Sequence, residues 1–160
     1  MAKYYTSEQL AGSQQAISTS YKSMFGITAA ASNMRRGKIY DLTFALNGTY
    51  ATTDTEVEYQ VIRQTVAATG GSAGTPSPLD FADAAFSGLN SCNPTAEGTV
   101  ATEVFHLAAN QRATYRWAAS PGSELVYPAT ASNGFAFRCK GETAGYTGTG
   151  ACISALFEEQ

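Results

Sequence analysis

A single imidazole, His106, is the only histidine in the chain. Acid–base or nucleophilic catalysis by histidine needs a nucleophile and an orienting acid within reach. His106 lies in the middle of an alternating segment, and no Gly-x-Ser-x-Gly turn accompanies it. A surface or hydrogen-bonded strand residue is the expectation. Cys92, Cys139 and Cys152 are too scattered for a zinc spacing, and no Cys-x-x-Cys occurs. The carboxylate pairs Glu56/Glu58, Asp80/Asp83 and Glu158/Glu159 have the residue types of a two-acid hydrolase. Each also has a plainer reading: a solvated strand face, a capped turn and a frayed chain end. There is no phosphate-cradling or dinucleotide fingerprint, and Gly148-Thr149-Gly150 reads as a flexible strand. The expectation is a protein with no catalytic residues, no metal and no cofactor.

Two groups of residues suit contacts better than chemistry. Arg35-Arg36-Gly37 puts two cations immediately before the best strand. They serve either as a guard against sheet stacking or as ion-pair partners for an acidic neighbour. Arg112, Tyr115, Arg116 and Trp117 gather the planar residues that anchor protein interfaces, although the two aromatics also fit a core.

These side chains must be positioned by strands. In residues 38–46, Tyr40, Leu42, Phe44 and Leu46 alternate with Asp41, Thr43 and Ala45, the period of a half-buried strand. Residues 56–65 repeat the pattern with Val57, Tyr59 and Val61, and residues 99–107 do so with Phe105 and Leu107. Weaker strands fall at residues 22–31, 110–119, 125–127, 134–139 and 151–157, separated by turn pairs such as Asn47-Gly48, Pro121-Gly122 and Asn133-Gly134. Residues 77–86 suit a helical turn within a long loop region, 69–98. With no long amphipathic helix, the pattern predicts an all-β fold: a single antiparallel β-sandwich, jelly-roll-like, over residues 21–160. Residues 1–20 are small and polar and predict an N-terminal arm that orders against a neighbour. The expected core is Tyr40, Leu42, Phe44, Leu46, Val57, Tyr59, Val61, Val104, Trp117, Phe135, Phe137, Ile153 and Phe157. Cys139 and Cys152 are symmetric about a turn near Gly145-Tyr146, so an antiparallel hairpin would set them face to face. Cys92 is expected in a loop, unpaired.

Composition narrows the functional classes. The 160 residues carry a net charge of −3 with only 14% charged residues, so no basic field attracts nucleic acid. No apolar run approaches the length of a membrane span, and the first residues lack a secretory leader, which predicts synthesis in a reducing cytosol. Nine tyrosines, eight phenylalanines and one tryptophan supply the buried area that the few aliphatic residues do not.

The segment Met34-Arg35-Arg36-Gly37-Lys38-Ile39-Tyr40-Asp41-Leu42 resembles a recurring motif of small structural proteins of tailed bacteriophages. So do residues 110–130, which include Gln111-Arg112-Ala113-Thr114-Tyr115-Arg116-Trp117, and Thr75-Pro76-Ser77-Pro78-Leu79-Asp80. Tyr146-Thr147-Gly148 and Leu156-Phe157-Glu158-Glu159 are similar too, so that about 125 residues are covered in order. The resemblance implies a capsid cement or decoration protein. Such a protein is made in the host bacterial cytoplasm and bound to the outer capsid surface of the virion. Its partner would be the major capsid protein, with no nucleic acid and no membrane, and a homotrimer would suit capsomer junctions. Contacts are expected from residues 1–20, the 69–98 loops and a rim containing Arg35, Arg36, Asp80, Phe81, Arg112 and Arg116. The alternatives are another virion component, in the tail or neck, a carbohydrate-binding β-sandwich module, or a small jelly-roll enzyme.

Overall fold

The computed structural model describes residues 1–12, 14–143, 146 and 150–160. Among these are twelve strands and a four-residue 3₁₀ turn, Glu8–Ala11. The strands are β1 Ala2–Ser7, β2 Lys22–Thr28, β3 Gly37–Asn47, β4 Glu56–Val66, β5 Ser72–Ala73 and β6 Ser77–Pro78. They continue with β7 Leu89–Cys92, β8 Thr99–Asn110, β9 Tyr115–Ala118, β10 Leu125–Tyr127, β11 Gly134–Gly141 and β12 Gly150–Glu159. The first sheet has the order β10-β3-β12-β1-β6, with β9 also paired to β3; the second is β5-β7-β2-β11-β4-β8. All pairings are antiparallel, as expected for an all-β chain. Four of the pairings are nested along the chain: β1 with β12, β2 with β11, β3 with β10 and β4 with β8.

The two sheets share one core, giving a sandwich-like, two-layer arrangement. Tyr4, Ile39, Leu42, Phe44, Ile153 and Phe157 from the first sheet and Phe25, Ile27, Val57, Tyr59, Val61, Phe135 and Phe137 from the second belong to a single buried cluster. Aromatic contacts span the layers: Phe44 lies 5.3 Å from Tyr59 and Tyr127 lies 6.2 Å from Phe135, centroid to centroid. Those geometries add to the area term of large buried rings.

Three expected core residues, Tyr40, Val104 and Trp117, are only half-buried. Tyr40 is displaced by a β-bulge. Asp41 pairs with Leu156 and Ile39 with Phe157, leaving Tyr40 as the extra residue. One extra residue reverses the facing of everything before it, so Ile39 points inward in Tyr40's place. Val104 is likewise the extra residue of a bulge, because Val61 pairs with Phe105 and Ile62 with Glu103. Trp117 sits on the four-residue strand β9, whose one partner strand is β3.

The expected arm at residues 1–20 is a correction. β1 is an inner strand, paired along its length with residues 154–159 of β12 and, through Tyr4 and Tyr5, with β6. Polar residues at its end and just after it are inside rather than at the surface. Thr6 and Glu8 are fully buried; the Thr6 hydroxyl donates to Asn90 Oδ1 at 3.2 Å, and Glu8 Oε2 accepts from the Ile153 amide at 2.8 Å. The frayed end expected at Glu158/Glu159 is corrected for the same reason, since Glu159 is buried in β12. The helical turn expected within 77–86 is instead the two-residue strand β6 followed by turns, and the 69–98 region is pinned by β5, β6 and β7.

The cysteine hairpin is also corrected. Cys139 lies in β11 of the second sheet and Cys152 in β12 of the first, because the chain crosses between layers rather than folding back within one. The proposed turn centre at Gly145 lies outside the described residues. All three thiols are free, and Cys92 is in strand β7 rather than a loop.

Candidate interaction surfaces

Of the six residues expected to make contacts, Asp80 and Phe81 lie at one lateral edge of the first sheet and Arg112 and Arg116 by the other, while Arg35 and Arg36 lead into the interior strand β3. At the β6 edge of the first sheet, Leu79 donates its amide to the Lys3 carbonyl at 2.8 Å, and the chain then turns outward. The Asp80 carboxylate caps this turn by accepting from the Ala82 amide at 2.9 Å, while the Asp80 carbonyl accepts from the Asp83 amide at 3.0 Å. This local bonding, typical of aspartate at turns, holds Phe81 fully in solvent at 102% exposure, beside Leu79 at 53%. The segment returns through Ser87, whose amide and hydroxyl both donate to the Glu159 carboxylate. Arg35 stands 4.0 Å from the same carboxylate, and Arg36 is exposed next to it. Arg35 thus stands beside an acidic side chain of its own chain.

Arg112 and Arg116 belong to the opposite edge, on either side of the β8–β9 turn. Arg112 pairs with Asp54 at 3.2 Å and lies over the Tyr50 ring at 5.1 Å. Arg116 grips Asp41 through Nε at 3.0 and 3.1 Å and through Nη2. Its side chain stays 69% exposed, whereas that of Asp41 is 10% exposed. Between β8 and β9 the two sheets leave a slot of about 260 Å³. Phe44 is its buried floor, with the Phe105 ring stacked on it at 5.3 Å and nearly parallel. Trp117 closes against Phe105 at 5.8 Å, and Leu107 completes the apolar wall. Tyr115, Arg116 and His106 form the exposed rim.

A polar network on the second sheet went unread in the sequence beyond its Glu58 and His106 members. Glu58 accepts from the Tyr21 hydroxyl, from Lys140 at 3.0 Å and sits 3.1 Å from His106 Nε2. His106 Nδ1 faces Glu103 at 3.7 Å, and Glu103 accepts from Gln60, whose carbonyl accepts from Arg138 at 2.8 Å. The Tyr21 hydrogen bond, reinforced by Lys140, lowers the Glu58 pKa to about 2, and burial beside Glu58 raises that of Tyr21. The signal was the alternation Glu58, Gln60 on β4, but its partners come from β2's flank, β8 and β11, which no local pattern links. The imidazole has carboxylates on both sides, an arrangement that orders charges on this face.

Two buried features complete the surface. Burial raises the pKa of Glu8, and its Oε1 has no partner. On the second sheet a hollow of about 330 Å³ lies under residues 67–73, with Thr28 Oγ1 and Gln64 Oε1 unpartnered in its lining residues. Among the described residues, no three His, Cys, Asp or Glu side chains converge to hold a metal, and no helix is long and apolar enough to cross a membrane. No protein-family model, curated protein or solved structure matches the chain.

Proposed function

We propose that this protein is a non-catalytic structural component of a tailed-phage virion that binds the outer capsid surface and stabilises the head. The observation that carries the reading is where the phage-like segments fall. Residues 34–42, 75–80, 110–130 and 156–159 cover part of β3, β6, β9, β10 and the end of β12 in the first sheet, whereas Asn110 ends β8 and Tyr146 donates to the Glu56 carbonyl, both on the second. Most of the resemblance therefore falls on one layer and its flanking turns. That layer's outer face carries Lys3 over Tyr40 at 5.7 Å, Lys38 paired with Glu158 at 3.8 Å, and the partly exposed Tyr5.

Supporting it, the order β1-β12-β3-β10 facing β2-β11-β4-β8 is compatible with the jelly-roll arrangement proposed here, an architecture common in capsid proteins. A unit that binds only the assembled lattice adds its binding free energy to that state, and attachment at several points multiplies the effect. A homotrimer against the major capsid protein at capsomer junctions is the form proposed.

The test is co-sedimentation of purified protein with phage heads, with its density located by electron microscopy. Density on the outer shell and a higher temperature for head disruption are expected. Density on the tail or neck, or absence from virions, overturns the reading. Specific retention on a glycan array without head binding would favour the carbohydrate-binding alternative instead.

A further inference from the structure

We propose that the chain associates head to tail with copies of itself, Phe81 of one copy seating in the Phe105–Trp117 slot of the next. Phe81 is entirely exposed on a turn braced by its own hydrogen bonds, so a partner would capture a preorganised ring at little ordering loss. The slot offers what a phenyl ring prefers, an aromatic wall and floor from Phe44, Phe105 and Trp117.

Charge selects the pairing. Phe81 stands between Asp80 and Asp83, and the rim of the slot carries Arg116. Nε and Nη2 of Arg116 hold Asp41, leaving Nη1 of a largely exposed guanidinium for a carboxylate of the incoming turn. Glu58 and Glu103 bracket His106 on the far side of the rim, which orients the acidic turn toward Arg116. The second-sheet hollow is the poorer receptor: a phenyl ring seated there would seal Thr28 Oγ1 and Gln64 Oε1 without partners.

Topology supplies the geometry. The projecting turn follows β6, one edge of the first sheet, and the slot lies beside β9 and β8 at the opposite edge. A knob and a socket on opposite flanks make a heterologous contact, which closes into a ring when the rotation allows. The ring size of three rests on the capsid reading above; the contact itself does not.

Sedimentation of the full-length chain tests it. The wild type should run as three copies, and Phe81→Asp and Leu107→Arg should each run at the 16.8 kDa of one chain. Phe81 is outside the fold, so its variant tests contact rather than folding, and circular dichroism verifies the Leu107 variant. Mixed one to one, the Leu107→Arg copy still offers a knob and the Phe81→Asp copy still offers a slot, so the mixture should contain two-chain species. A wild-type monomer, unchanged assembly in either variant, or a mixture that stays monomeric overturns the proposal. Monomeric wild type whose binding to heads is lost in Phe81→Asp would also overturn it, giving Phe81 to the lattice while leaving the capsid reading intact.

Discussion

Glu58 and Glu8 show how differently one side-chain type behaves in this chain. Glu58 is held ionised by Tyr21 and Lys140 and titrates at about 2. A carboxylate with a depressed folded pKa contributes stability that is present above its unfolded value and is lost as pH falls through the folded one. Glu58→Gln should therefore lose about 1 kcal/mol at pH 7, allowing for solvent screening. The gap to wild type should close as pH falls from about 4.5 toward 2; urea melts across that range measure it. Glu8 has the opposite sign. Its folded pKa is raised by burial, so the charged form is penalised and wild-type stability declines as pH rises above the ordinary carboxylate range. Glu8→Gln keeps an acceptor for the Ile153 amide and should gain on wild type between pH 4 and 8, read by thermal melts. A gap that stays flat with pH would show that Glu8 is not the titrating group. Neither role was legible in the sequence. Glu58 looked like surface charge and Glu8 like part of an arm that orders against a neighbour, because the partners that decide each case lie 37 to 145 residues away.

At the scale of elements, alternation revealed β3, β4 and β8, since a strand with one wet face writes its period into its own residues. It failed where the ladder is irregular. The bulge at Tyr40 moves Ile39 inward, and nothing in the surrounding residues marks the slip. It failed more seriously for β1 and the 3₁₀ turn after it, whose Thr6, Ser7 and Glu8 are polar yet buried. Deleting residues 1–7 should accordingly unfold the chain rather than remove a tether. β12 would lose its partner on one side, and core positions such as Tyr4 would empty. Circular dichroism and the cooperativity of thermal unfolding report the outcome; a folded, cooperative truncated chain would return β1 to the status of an arm. The candidate contact residues were legible by type, and Phe81 and Arg116 keep exposed positions. Their separation onto opposite edges was not legible, because sheet order is a property of pairings and not of segments.

The whole molecule has no covalent staple among its cysteines, so its stability rests on one shared core. Desolvation raises the Cys92 thiol to about 11 and pushes Cys139 up as well, which suppresses the reactive thiolate. Thiol reagents should label Cys92 and Cys139 only after denaturation, and a reducing agent should leave the melting temperature unchanged; a drop on reduction would point to a disulfide instead. The nested pairing has a further consequence for how such a chain comes into being. β1 leaves the ribosome long before β12, yet its ladder waits for that strand, with Ala2 opposite Glu159. Closing so long a loop before any of its contacts are rewarded makes folding slow and late. The early strands must wait unpaired while synthesis proceeds, an interval in which exposed strand edges invite aggregation. The rate of translation then becomes part of the folding problem, since neighbouring nascent chains share the same unpaired edges.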